Sequence, residues 1–249
     1  MICILDETPK AEKLFGETVD SLIISCLQKV MGTIYVTDPA NPLSAMSVLA
    51  DFVFYAGIPD RELVVNTPHS SHILVPQNES WGEMIESCFP EAVKEVRYAI
   101  KKDTHFSREK LKKMAASLPD NYLIRRINPE IYDMCLENSL FKDCVCHFGS
   151  KEAFLEAGRG FAVMKDGKLV SACSSYSRYR EGFELEVDTV KEERRKGFAG
   201  AVSAAMILSC ISDGLYPSWD AMNMESVHLA EKLGYEFSHE YTCYWVEQR

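Results

Sequence analysis

The sequence contains no run of 18 uncharged apolar residues, which excludes a membrane-spanning helix. Its opening, Met1-Ile2-Cys3-Ile4-Leu5-Asp6-Glu7, turns acidic where an export leader needs a long apolar stretch. A basic excess is missing as well: 27 Lys and Arg stand against 37 Asp and Glu, for a formal charge of −10. The acidity divides evenly about Asn121, so there is neither a basic arm nor an acidic tail. This charge balance argues against non-specific binding to nucleic acid or to an anionic membrane. A disulfide framework is lacking too. The nine cysteines are odd in number and scattered singly, apart from Cys144 and Cys146, which fits reduced thiols in a cytoplasmic protein. Low-complexity segments and repeats of solenoid period are absent. What remains is a chain of 249 residues, 47% apolar and 26% charged. That is close to the globular average, and long enough to bury one large core or two smaller ones.

The spacing of Leu14, Val19, Leu22, Ile23, Cys26, Leu27 and Val30 predicts one helix over about 9–31, closed by Gly32. Thr33 to Val36 reads as a strand. The apolar stretch 45–56 fits either a buried strand or a helix, with Asp51-Phe52-Val53-Phe54-Tyr55 leaning to strand. A strand over 72–76, a helix over 80–88, a strand over 93–100 and a charged surface helix over 107–118 follow. Ser117-Leu118-Pro119-Asp120-Asn121 is the best candidate boundary. It gives an N-terminal α/β domain over 1–120 and a second domain over 121–249. In the latter, a strand over 122–127 leads to a helix with Asn128 as N-cap and Pro129 at its first position. Asp166-Gly167 between two apolar runs is a hairpin signal. Gly182 to Val190 alternates Phe183, Leu185, Val187 and Thr189 with Glu184, Glu186 and Asp188, a strand with one acidic face. A small-residue helix over 197–212, a strand over 219–222, a helix over 226–233 and a strand over 241–246 complete the series.

The chemistry concentrates in Val187-Asp188-Thr189-Val190-Lys191-Glu192-Glu193-Arg194-Arg195-Lys196-Gly197-Phe198-Ala199-Gly200. A strand passes through a charged turn into a glycine-opened helix. The first turn of a helix offers free backbone N–H groups and the positive end of its dipole. Gly197 permits close approach to the backbone, and Ala199, Gly200 and Ala201 keep that turn slim. Arg194, Arg195 and Lys196 add positive charge in an otherwise acidic chain. Together they form an anion site suited to a pyrophosphate. Alone, the same residues would make only a solvated basic turn capping a core helix.

The Arg-x-x-Gly-x-Ala spacing of Arg194, Gly197 and Ala199 is joined by a later element, Asn223-Met224-Glu225-Ser226-Val227-His228-Leu229-Ala230-Glu231-Lys232-Leu233-Gly234-Tyr235. In this order, from about Tyr122 onward, the sequence resembles the acetyl-CoA-binding core of GNAT-type N-acetyltransferases. A further likeness is to the zwittermicin-resistance-type branch, which carries an added N-terminal domain. It rests on Glu184-Leu185-Glu186-Val187-Asp188-Thr189 and on Asn41-Pro42-Leu43-Ser44-Ala45-Met46 with Asp51-Phe52 and Ala56-Gly57.

The resemblance implies an α/β fold: a mixed, mostly antiparallel sheet flanked by helices, with the N-terminal α/β domain a diverged GNAT-like half. It implies acetyl-CoA as cosubstrate, no metal, and a small amine as acceptor; the acidic chain and its acidic strand face suit a cationic one. It also implies that the strand of Leu185, Val187 and Thr189 pairs with the pantetheine arm. The amides of Arg195, Lys196, Gly197, Phe198, Ala199 and Gly200 would hold the pyrophosphate, with Arg194, Asn223 and Ser226 as further cofactor contacts. Glu184, preferred, or Glu186 would take the ammonium proton; equally, both could serve only to attract a cation or to coat a solvated strand face. The oxyanion donor would be a backbone N–H near Val187. The position that often holds a Tyr acid is Ala230, leaving Ser226, His228, water or no acid at all. A rival reading is a non-catalytic acyl-CoA-binding sensor. An oligomer is compatible with everything above.

Other clusters read as structural. Cys144-x-Cys146-His147 lacks the fourth ligand and the wider spacing of a zinc site. His69-Ser70-Ser71-His72 reads as a polar turn, Cys173 as a hairpin thiol, and Trp81, Trp219 and Trp245 as packing residues. Arg178, Tyr179 and Arg180 are expected in a loop bordering the substrate.

Overall fold

The computed structural model describes residues 1–16, 20–70 and 72–247; Val19 and Ser71, named above, lie outside them. Residues 1–97 and 240–249 cluster into one compact unit and 98–239 into a second. The expected boundary at Asp120 thus falls inside the second unit. The reason is α5 (Arg108–Ala115): charged on most faces, it still buries Leu111 completely in the core that holds Phe198 and Val202.

In the first unit the chain runs β1 (Cys3–Ile4), α1 (Pro9–Glu12), α2 (Ser21–Leu27), β2 (Thr33–Val36), β3 (Ser44–Leu49), β4 (Phe52–Gly57), α3 (Arg61–Val65), β5 (Ile73–Pro76) and α4 (Glu79–Cys88). β6 (Val93–Ile100) then leads into the second unit. The single helix expected over 9–31 is two. Gly16 takes a positive φ of 76°, and Asp20 restarts the helix by accepting the Leu22 N–H at 2.8 Å. The ambiguous stretch 45–56 is a hairpin, β3 on β4, turning at Ala50 with φ 52°. β4 and β5 run parallel and stay paired from Phe52–Ile73 to Tyr55–Pro76. Their core contains Met46, Val53, Tyr55, Leu74 and Trp81. Trp81 stacks on Tyr55 with centroids 5.2 Å apart and donates its Nε1–H to the Gly57 carbonyl at 2.9 Å. β13 (Phe237–Trp245) returns here: Tyr244 pairs with Leu74 and donates its hydroxyl to Glu86 at 2.7 Å.

The second unit continues with α5, β7 (Leu123–Arg126), α6 (Pro129–Glu137), two 3₁₀ turns (Lys142–Cys144 and Cys146–Phe148), α7 (Lys151–Ala157), β8 (Gly160–Lys165), β9 (Lys168–Tyr179) and β10 (Gly182–Thr189). A third 3₁₀ turn (Lys191–Glu193), α8 (Phe198–Ser212), β11 (Tyr216–Ser218), β12 (Asp220–Ala221) and α9 (Met224–Leu233) follow. The five-stranded sheet has the order β11-β10-β9-β8-β7. Every pairing in it is antiparallel except β10 on β11. The β8–β9 hairpin turns on Asp166 and Gly167 with φ of 48° and 74°, the mirror-image turn that matches strand twist. The strand expected over 219–222 is instead β11 and β12, separated at Trp219. β11 lies on β10, whereas β12 pairs with β6 through Asp220–Ala99 and Ala221–Tyr98. Arg178 and Tyr179 belong to β9 rather than to a loop. One sheet face packs Phe183, Leu185 and Val187 against α5, α8 and α9; the other packs Ala162 and Ala172 against Ile131, Tyr132, Phe141, Cys144 and Phe154.

Trp81→Ala removes a fully buried indole and its hydrogen bond. It is expected to destabilise the first unit by about 3–5 kcal/mol, measured by urea unfolding followed by tyrosine and tryptophan fluorescence.

Candidate functional site

The ladder between β10 and β11 has three residue pairs, Gly182–Tyr216, Phe183–Pro217 and Glu184–Ser218. Past Glu184, β10 runs on to Thr189, held on its other edge by β9 as far as Thr189–Ser171. The chain after Ser218 leaves: the Trp219 Nε1–H donates to Ser226 Oγ at 3.0 Å, and β12 joins β6. Two parallel strands therefore separate at Glu184–Ser218. The irregularity continues on the other side, where Glu184 pairs with Ser177 but Leu185 with Ser175, leaving Tyr176 as an extra, bulged residue of β9.

A sharp turn links this opening to α8. The carbonyl of Thr189, the last residue of β10, accepts from Arg194 Nε at 3.1 Å. Arg195 takes φ 61° and Gly197 φ 89° as the N-cap of α8, with no side-chain cap. A Cβ built on Gly197 would meet nothing within 4 Å, so the helix end is open to a group arriving from outside. The first intrahelical bond comes from the Ala201 N–H to the Gly197 carbonyl, so the preceding amides point out of the helix start. The cations are less available than the sequence implies. Arg194 is folded onto its own loop, and Lys196 pairs with Glu193 at 2.8 Å.

Glu184, Glu186 and Asp188 share the strand face opposite Phe183, Leu185 and Val187. That face is covered, not solvated: Glu184 is 4% exposed. The 3₁₀ pair over 142–148 lies against it, close enough that Glu186 and Asp188 help burial push the Cys144 thiol up. Burial raises the Asp188 carboxyl from 3.8 to about 6, with Arg194 opposing and Asp143 assisting. The same 3₁₀ pair brings Asp143, which the sequence alone does not single out, to Cys146 and His147. Cys146 Sγ lies 3.6 Å from Asp143 Oδ1 and 3.7 Å from His147 Nδ1, and His147 Nε2 lies 3.7 Å from Asp143 Oδ1. The His147 ring rests on Tyr176, centroids 4.2 Å apart. Cys144, grouped with Cys146 and His147 from the sequence, points instead into the core.

Asn223 caps α9, its Oδ1 accepting the Ser226 N–H at 3.0 Å. Ser226 Oγ is engaged by Trp219, and Ala230 is fully buried in the core. A cavity of about 360 Å³ opens beside β7, lined by Leu123, Arg125, Met134 and Met164. It sits at the opposite edge of the sheet from the strand opening.

The GNAT acetyltransferase family model matches residues 12–244. The chain belongs to the GNAT acetyltransferase family. A GCN5-related N-acetyltransferase-like protein from Streptococcus suis 89/1591 superimposes with a TM-score of 0.93 at 38% identity, covering 96% of this chain and 98% of that one. An uncharacterized N-acetyltransferase, YdfB of Bacillus subtilis (strain 168), is 28% identical over 177 residues, 69% of this chain. The match spans 65% of that relative's length, just under two thirds. A tandem GNAT protein from the clavulanic acid biosynthesis pathway shares the fold at a TM-score of 0.56 and 10% identity, covering 100% of this chain and 98% of its own. In this GNAT chain, as in the expectation from sequence, the sheet is mixed, mostly antiparallel and flanked by helices. Among the described residues no helix is long and apolar enough to cross a membrane.

The raised Asp188 carboxyl fixes a pH signature. Because the folded state holds the proton more tightly than the unfolded state, the stability cost is absent below about pH 4. It grows to about pH 6 and persists above. Asp188→Asn is expected to gain on the order of 1–2 kcal/mol over wild type between pH 4 and pH 7, with solvent screening allowed for. Urea unfolding in EDTA-containing buffer across that range checks it. A constant difference would contradict the assignment.

Proposed function

We propose that the second unit is an acetyl-CoA-dependent N-acetyltransferase acting on a small, cationic amine. The observation that carries this reading is the parting of β10 from β11 at Glu184–Ser218, directly ahead of the glycine-capped start of α8. In this reading the released edge of β10, through Leu185, Val187 and Thr189, receives the pantetheine amides. The outward amides from Arg195 to Gly200 receive the pyrophosphate, where anions are favoured by the helix dipole. Asn223 and Ser226 serve chiefly by shaping the start of α9, since their polar atoms already hold the helix amide and the Trp219 indole.

The amine must lose a proton to attack the thioester. Its nitrogen bonds to the acyl carbon, the carbon–sulfur bond breaks, and the thiolate leaves. Glu184, at the closed end of the wedge, takes the amine proton; Glu186, two residues into the open stretch, draws in the cation. A backbone N–H near Val187 faces the oxyanion. With Ala230 buried where related enzymes often carry a tyrosine, the thiolate leaves without a side-chain acid from that position or with a proton from water.

The first unit fits a diverged GNAT half of the kind in the zwittermicin-resistance branch. It repeats an antiparallel meander followed by a short helix and a parallel strand. Its parallel pair β4–β5 stays closed along its length, and α3 has only five residues, so it offers neither wedge nor long helix end.

Gly197→Asp places a carboxylate against the phosphates and strains a residue at φ 89°. Acetyl-CoA binding by calorimetry is expected to be lost, each charge-assisted contact being worth about 1.5–3 kcal/mol. Wild-type affinity in this variant would place the cosubstrate elsewhere. Glu184→Gln is expected to keep acetyl-CoA affinity while kcat, read by free-thiol release across a panel of amines, falls by roughly 10²–10⁴ with partial recovery at high pH. If Glu186→Gln alone showed that loss, the base would be Glu186. Acetyl-CoA binding with no thiol release from any amine would favour a sensor.

A further inference from the structure

We propose that Asp143, Cys146 and His147 form a binding site for a borderline-soft divalent cation of the zinc class, with a fourth coordination position open. The inference stands on the geometry of the 3₁₀ pair and is independent of the acetyl-transfer reading. Their donor atoms all lie within 4.8 Å of one another. With His147 Nε2 as the nitrogen donor, the separations are 3.6 Å for sulfur to carboxylate, 3.8 Å for sulfur to imidazole and 3.7 Å for imidazole to carboxylate, which resemble one face of a tetrahedron. Metal bonds of about 2.0–2.3 Å to N, O and S donors require roughly 3.3–3.6 Å between ligands. Small side-chain rotations close the difference.

The placement is set by the fold. Asp143 and Cys146 are three residues apart on successive 3₁₀ turns, a spacing that eclipses side chains. Cys144 and Val145 between them are buried in the core and anchor the backbone. The His147 ring, its side chain 14% exposed, is braced by Tyr176, whereas the Asp143 side chain is 62% exposed and leaves an entry path from solvent. Asp188 adds negative charge nearby. Sulfur and imidazole donors select zinc-like ions over magnesium or calcium. On binding, a metal–sulfur bond forms as the thiol S–H bond breaks, and the proton leaves to buffer.

The test uses tag-free, full-length protein titrated with Zn²⁺ by calorimetry and with Co²⁺ by absorbance. One Zn²⁺ per chain is expected, with Kd at or below about 10 µM, together with a thiolate-to-cobalt charge-transfer band. Cys146→Ser, His147→Gln and Asp143→Asn should each weaken Zn²⁺ about 10–100-fold, and Cys146→Ser should abolish the band. Cys88→Ser, a thiol of the first unit, should change neither. Near-UV circular dichroism confirms that each variant is folded. Absence of Zn²⁺ binding tighter than about 100 µM, a missing charge-transfer band, or wild-type affinity in folded Cys146→Ser would overturn the site.

Discussion

The parting of β10 from β11 is the constraint around which the second unit is arranged. The ladder stops at Glu184–Ser218 because β11 ends there, while β10 runs on to Thr189 and the chain after Ser218 turns away to pair β12 with β6. Trp219 is drawn away by its bond to Ser226, and the Tyr235 hydroxyl donates to the Pro217 carbonyl, so the base of α9 and the strand next to β10 are fixed together. On the opposite edge the Tyr176 bulge lets β9 follow the diverging strand without losing its register further on. The backbone of β10 beyond Leu185 is thus released by interactions that lie on both sides of it. An edge of this kind is a liability in most sheets and an asset only where an extended ligand completes it.

Burial then tunes what the opening presents. An acidic stripe on an exposed strand would be a set of ordinary carboxylates. The 3₁₀ pair over 142–148 roofs this one, so that the Asp188 carboxyl rises and the Cys144 thiol becomes inert. The basic loop is restrained in the opposite sense. Arg194 and Lys196 are spent on Thr189 and Glu193, which leaves the exposed Arg195 beside the oriented amides of α8 to attract an anion.

How far the sequence disclosed this depended on whether the cause was local. Asp166-Gly167, Asn128-Pro129 and Gly197 carry their conformations in their own chemistry, so the hairpin, the start of α6 and the start of α8 were readable. The alternation along β10 was readable too, because period two survives any neighbour. Ala50 is not a turn former by type, and its positive φ exists only because β3 and β4 pair on either side. The cover over Glu186 and Asp188 arises from packing between segments about forty residues apart, which no local pattern encodes; Asp143, Cys146 and His147 are close in sequence, but their meeting depends on two short 3₁₀ turns that carry no marker of their own. The unit boundaries were hidden for a related reason: β6 and β13 run through them as continuous strands, without the Pro-Gly punctuation that marks a linker.

That continuity orders the birth of the molecule. Tyr244 belongs to the core of the first unit, yet 158 positions separate it from its partner Glu86. On a ribosome the first unit emerges early but has to wait for its final strand. The second unit has all of its own residues in hand before β13 is complete. The later-made half is therefore able to mature first, while the earlier-made half remains an open sheet with a hydrophobic face at risk until β13 has been made.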